Sequence, residues 1–327
     1  MANRRYLFAG AACLLAAALP VSVLAQNAYP DKPIRIIVPL PPGSPVDTIG
    51  RKLAESMSAK LGTPVIIDNK PGAALTIGAA EVARAKPDGY TLLLTVAEPL
   101  VSAVATMKIS YDPQRDFRLI SKVAASSTGP LLVASAKVKA NNLPDLVKEA
   151  KASANPMSYA SFGPGSYPQQ MMETLAKQTG AKFNEIPYKG SPPALVDAMA
   201  GNIDLTFSSI DQAKSQIQAG QIKAIAVASK SALLPNVGTF SEAGFDNFVF
   251  RNKPWIGLVG PAGLPDAVAQ KLLDAAQAAA KEPSMVSFLT SIGFDAVGGT
   301  PAQFQQDYQA EFAVVPDLIR SLGVKPQ

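Results

Sequence analysis

The sequence predicts an α/β protein of two lobes, each a mainly parallel sheet flanked by helices. Three observations predict it. Apolar runs alternate with helical patterns along the chain, an order that lays parallel strands beneath covering helices. The alternation restarts near Pro130 as a second series. The tail then changes character, with one apolar run followed by three amphipathic helices, as expected of a chain returning to complete its first lobe. With 327 residues, 48% of them hydrophobic, there is apolar surface enough for two cores.

In the first series "IRIIVPL" (34–40) reads as a buried strand. Ile49, Leu53, Met57 and Leu61 then recur every four residues, an apolar helical stripe stopped by Gly62. "PVIIDN" is the second strand, "LTIGAAEVARA" a helix, and "YTLLLTV" the third strand after the turn "PDG". The second series reads "LLVAS", a helix over 143–153, "SYAS", a helix over 167–179 ended by Gly180, and "FNEIPY". "KGSPP" leads into a helix over 194–200, followed by "IDLTF", a helix to Ala219 and "IKAIAVA". The tail gives "WIGLVGPA" and helices over 265–281, 283–292 and 301–320, each with proline at its first turn. Residues 26–128 and 230–327 are thus expected to form a discontinuous first lobe, and 129–229 the second. Short crossings near 126–130 and 227–231 would make a hinge.

The opening "MANRRYLFAGAACLLAAALPVSVLAQ" has a basic start, an apolar run and a small-residue site, the pattern of a secretory signal peptide over residues 1–25, cleaved after Ala25. A retained membrane anchor is the alternative. Gly10 stands where a lipobox wants leucine, which argues against a lipoprotein reading of Cys13. Cleavage removes Arg4, Arg5 and the only cysteine, so the formal charge falls from +5 to +3 and no disulfide is possible. Later segments are too short to span a bilayer, and so thin a positive charge predicts no nucleic-acid partner. A soluble periplasmic protein is expected.

The chain has no histidine. That removes the commonest general base, the Ser-His-Asp triad and imidazole metal sites together. Without cysteine as well, transition metals lose their usual ligands, so no metal or other cofactor is expected. Lysine and serine chemistry survive this count, but no motif points to them.

Three turns share a composition: "PPGSPVD" (41–47), "SFGPGSYP" (161–168) and "YKGSPP" (188–193). Each places Gly-Ser just before a helix, where unpaired amides and the helix dipole favour an anion. Glycine permits close backbone approach, serine offers a hydroxyl, and proline fixes the loop in advance. One helix start contributes only about 0.3–2 kcal/mol, whereas micromolar binding needs about 8 kcal/mol. Several loops must therefore close on one ligand. The plainer reading is that these turns cap helices, with Ser44 or Asp47 as an N-cap. No Walker lysine or dinucleotide fingerprint follows them. Phe162 and Tyr167 either stack on a planar ligand or pack beneath their loop, and Trp255 reads as a core or hinge residue.

The motifs "YPDKPIRIIVPLPPGSPVD", "VIIDNKPGAA", "IGAAEVARAKPDGYTLLL", "YDPQRDF", "IPYKGSPPALVDAMAGNID", "LPNVGTFSEAGF" and "WIGLVGPAGLP" follow one another in order. Together they resemble the Bug family, the periplasmic solute-binding receptors of tripartite tricarboxylate transporters. The resemblance implies a type II periplasmic-binding (Venus flytrap) fold, a small carboxylate ligand (a di- or tricarboxylate or an aromatic acid), no catalysis, membrane permease subunits as partner and a monomeric state. It places the ligand among Pro42, Gly43, Ser44, Val46 and Asp47 of the first lobe and Phe162, Gly163, Gly165, Ser166 and Tyr167 of the second. Ala97, Glu98, Ser208 and Ser209 would complete the cleft. A hydrolase or lyase on the same scaffold, using Ser44, Ser166 or Glu98, and a sensing subunit for a signalling partner are the alternatives. The chain departs from the family pattern at Gly43-Ser44 (usually Gly-Gly), at Phe162 (usually small), at "YPQQ" (usually carrying a histidine) and at Glu98-Pro99 (usually Asn-Pro). Glu98 would disfavour a second ligand carboxylate unless a donor offsets it, while Phe162 and Tyr167 would favour a flat ring.

Overall fold

The computed structural model describes residues 29–323. The expected signal segment, its cleavage site and Cys13 lie outside the described residues. The first series runs β1 (Ile34–Val38), α1 (Pro45–Leu61), β2 (Val65–Asn69), α2 (Thr76–Ala83), β3 (Thr91–Thr95), α3 (Ala103–Thr106) and β4 (Phe117–Ser126). The second runs β5 (Leu131–Ser135), α4 (Leu143–Ala152), β6 (Met157–Ser161), α5 (Tyr167–Thr179), β7 (Phe183–Pro187), α6 (Ser191–Ala200), β8 (Leu205–Ser208), α7 (Ile210–Gln218) and β9 (Ile222–Val227). The chain comes back through α8 (Phe248–Arg251), β10 (Trp255–Pro261), α9 (Asp266–Ala280), α10 (Pro283–Ser291), β11 (Phe294–Ala296), α11 (Pro301–Phe312) and α12 (Val315–Ser321). Two sheets result, ordered β11-β4-β10-β3-β1-β2 and β7-β6-β8-β5-β9, with helices flanking both.

Local chemistry accounts for these elements. The stripe of α1 is wholly buried at Ile49, Leu53 and Met57, and such residues contribute about 1.5–3 kcal/mol each. Ser44 Oγ caps the helix by accepting from the Asp47 amide, and Gly62 ends it in the left-handed region. Gly180 ends α5 in the same way.

The sheets are parallel only in part. β1 lies parallel to β2 and β3, and β6 to β7 and β8. β10, however, is antiparallel to β3 and β4, β11 to β4, and β5 to β8 and β9. The chain leaves the first sheet along β4 and comes back along β10, and opposed travel across one gap makes those neighbours antiparallel. β4 escapes sequence reading because Arg118 and Lys122 interrupt its apolar run. The tail also holds a second, three-residue strand, β11. The helix expected over 301–320 breaks between α11 and α12, just ahead of Pro316, which has no amide to continue the ladder.

The two crossings are tied together. The Ser126 amide donates to Pro254 O at 2.8 Å, Ala228 to Pro130 O at 3.2 Å and Ser229 to Thr128 O at 3.0 Å. The chain leaving β9 does not cross back at once: Phe240, Val249 and Phe250 bury themselves with Leu132, Tyr159 and Phe207 of the second core. The return runs through Asn252 to Pro254 instead, because these residues, with Phe240 and Phe250 stacked at 5.1 Å, complete the second core first. Among the described residues, no helix is long and apolar enough to cross a membrane.

Candidate functional site

A cavity of about 570 Å³ opens between the two sheets. The first side contributes the start of α1 (Pro45, Val46), the turn after β3 (Ala97, Glu98) and Thr106. The second contributes Phe162, Gly165, Ser166, Tyr167 and the Lys189-Gly190 turn. Of the residues expected at the site, Val46, Ala97, Glu98, Phe162, Gly165, Ser166 and Tyr167 line this cavity. Pro42, Gly43, Ser44, Asp47, Gly163, Ser208 and Ser209 do not.

The first loop is occupied with itself. Asp47 is buried, and its Oδ2 accepts from the Gly43 amide at 2.9 Å and from Arg51 Nε at 3.1 Å, while Oδ1 accepts from Asn69 Nδ2 at 3.0 Å. Burial pushes this carboxyl up, but the bonds from Arg51, Gly43 and Asn69 outweigh it and hold the group below the usual carboxylate range. The Gly43 amide, which glycine was expected to offer a ligand, is therefore taken. Pro45 has no amide and that of Asp47 goes to Ser44. This leaves Val46 as the first-turn amide beside the cavity.

The second loop is tied from below. Phe162 N donates to Ser166 Oγ at 3.1 Å, Gly165 N to Gln169 Oε1 at 2.7 Å, and Gln170 Nε2 to Gly165 O at 2.7 Å. The "YPQQ" glutamines thus hold the loop in shape, and Tyr167 begins α5 with no intrahelical carbonyl to receive its amide. Phe162 and Tyr167 meet edge to face at 5.6 Å, and Tyr167 meets Phe207 at 5.9 Å. They therefore pack on the second core and line the cavity at once. Gly165 has φ of 75°, and a Cβ there would lie 2.5 Å from Thr106 Cγ2 and 3.3 Å from Ile319 Cδ1 on the other side of the cleft. Its missing side chain is what lets the two sides touch.

Farther along, Ser208 sits buried at the end of β8, 3.3 Å from the Ser191 hydroxyl, and Ser209 precedes α7 as its N-cap. Ser208 thus stands behind the Lys189-Gly190 turn, one residue removed from the lining, and Ser209 caps α7 without a side-chain bond.

The far wall was not read from the sequence. Glu311 is only 6% exposed and accepts from Trp255 Nε1 at 2.7 Å and Asn252 Nδ2 at 2.9 Å. Burial pushes its carboxyl up to about 7, against the two hydrogen bonds and with Glu98 adding repulsion. Burial also pushes Glu98 up, its own backbone amide offsetting only part of this. Trp255 packs edge to face on Phe304 at 5.0 Å and begins β10, so it is core, hinge neighbour and cavity wall together. A signal for Glu311 does exist: Phe304, Tyr308, Glu311 and Val315 make one helical stripe in which the acid is the odd member.

Ser44 and Ser166 each accept a backbone amide, and among the described residues neither hydroxyl is hydrogen-bonded to a carboxylate. Among the described residues no cluster suits a metal ion. The cavity is of a size to enclose a small molecule.

Comparison with known proteins agrees. The model of the tripartite tricarboxylate transporter family receptor matches residues 49–324. Protein BugT of Bordetella pertussis is 32% identical over 312 residues, spanning 94% of both chains. Among solved structures, the periplasmic binding protein BugD has a TM-score of 0.75 and 32% identity, covering 91% of this chain and 100% of its own. An R. palustris protein solved with adipate has a TM-score of 0.77 and 26% identity, covering 91% of this chain and 100% of its own. The chain belongs to the family of tripartite tricarboxylate transporter receptors, which are periplasmic solute-binding proteins and not enzymes.

Proposed function

We propose that this receptor captures a small organic carboxylate in the cleft and delivers it to the membrane permease of a tripartite tricarboxylate-type transporter. Residues 1–25 direct export and are removed near Ala25. The lobes, 29–128 with 252–323 and 129–251, close about the tied crossings, and the ligand carboxylate lies between Val46 at the start of α1 and Ser166-Tyr167 at the start of α5. The observation that carries the reading is one cavity, of a size usual for small-molecule sites, walled by helix starts from both sides. Adipate in a relative of the same fold supports the ligand class.

Thermal melts of the mature protein test it. A carboxylate at about a hundred times its Kd adds roughly 2.7 kcal/mol of stability by linkage, so acids should raise Tm while neutral sugars leave it unchanged. Shifts with neutral ligands and none across a broad panel of acids would sink the reading.

A further inference from the structure

The cavity combines two helix starts, which suit a carboxylate, with an acid that repels one, Glu98. Glu98 shares the lining with Val96, Ala97, Phe162, Tyr167 and Trp255, none of them cationic, and of these Tyr167 stands near enough to feel its charge. Among the described residues no side chain forms an ion pair or hydrogen bond with its carboxyl, which takes only its own backbone amide. Glu311 stands close enough for the two charges to repel, and its own donors are already engaged. Among the described residues the only cation in the lining, Lys189, is exposed. Glu98 is half-buried, so its carboxyl ionises at a cost or finds a partner, and among the described residues no side chain supplies one.

Resting on the carboxylate reading above, we infer that Glu98 is a specificity-determining residue that receives the cationic or N–H donating end of an amphoteric ligand, a monocarboxylate with an apolar body and an amine. The ligand carboxylate meets the starts of α1 and α5, its body lies along Phe162 and Tyr167, and its ammonium lies on Glu98. A ligand with carboxylates at both ends would set one against Glu98 and Glu311 in a low-dielectric space, where like charges are strongly disfavoured. Burial raises the Glu98 carboxyl in the unliganded protein, and an ammonium beside it reverses that shift on binding.

The test is calorimetric titration of the mature protein with two matched sets: hexanoate, adipate and 6-aminohexanoate, and benzoate, terephthalate and 4-(aminomethyl)benzoate. Within at least one set the amino acid should bind about tenfold or more tighter than the dicarboxylate. Glu98→Gln, which keeps shape and removes charge, should erase that preference. Glu98→Met repeats the comparison with an apolar side chain of similar length, and unliganded melts confirm that both variants fold. Preference for a dicarboxylate in the parent protein, or an unchanged ranking in both variants, overturns the inference while leaving carboxylate capture intact. Failure of all six acids to bind overturns both.

Discussion

The loops at 41–47 and 161–168 look alike in sequence, each a proline-stiffened Gly-Ser turn from a buried strand into a helix, yet they end in different circumstances. Gly43 has φ of 82° and nothing within 4 Å of where its Cβ would be, and its amide is bound to Asp47. Gly165 is also left-handed, but Thr106 and Ile319 from across the cleft occupy the space beside it. In the first loop glycine solves a local turn; in the second it solves a contact between two halves of the molecule. Composition marks where a helix begins, and only the opposing surface decides what that beginning is used for.

Substitution at the two glycines should separate these roles most sharply. Gly165→Val sets a branched side chain into Thr106 with an unfavourable backbone. Ligand affinity is expected to fall at least tenfold, alongside a lower Tm, as measured by calorimetry and melting. Unchanged affinity in a folded variant would mean that the contact with Thr106 does not govern closure.

The next effect belongs to the wall that the second loop closes against. Glu311 holds its proton up to about pH 7 in the folded protein but releases it near 4.5 when unfolded. Between these values the native state binds the extra proton, so this contribution is full below about 4.5 and is lost as pH rises through 7. The slope is at most about 1.4 kcal/mol per pH unit, about 3 kcal/mol in all, with Glu98 opposing ionisation and Lys122, Trp255 and Asn252 favouring it. Urea unfolding from pH 4.5 to 8 should show the decline, and Glu311→Gln should flatten it.

Smaller effects are expected on the first loop. Asp47→Ala frees Gly43, Arg51 and Asn69 together and should cost about 1–3 kcal/mol in denaturant unfolding, with ligand affinity held within about threefold. Gly43→Ala meets no neighbouring atom and should cost only about 1 kcal/mol from its positive φ, with affinity unchanged. A large affinity loss in either variant would return the first loop to the ligand.

Much of the architecture was readable because it is periodic. The α1 stripe, the strands around it and the glycine stops all follow from local pattern. β4 was hidden because a strand placed between others can carry Arg118 and Lys122 when their charges reach Leu264 O, Asp266 and Asp307 at its edges. The same limit applied to the cavity. Val46, Glu98, Phe162 and Tyr167 lie on loops that announce themselves, whereas Glu311 and Phe294 arrive from the tail, brought in by a chain return that no local spacing encodes.

The position of Trp255 has a practical outcome. It is the only indole in the chain, it faces the cavity, and its N–H is bound to a carboxyl whose charge depends on its surroundings. Occupancy of the cleft should therefore be legible in the protein's native fluorescence, with no label attached.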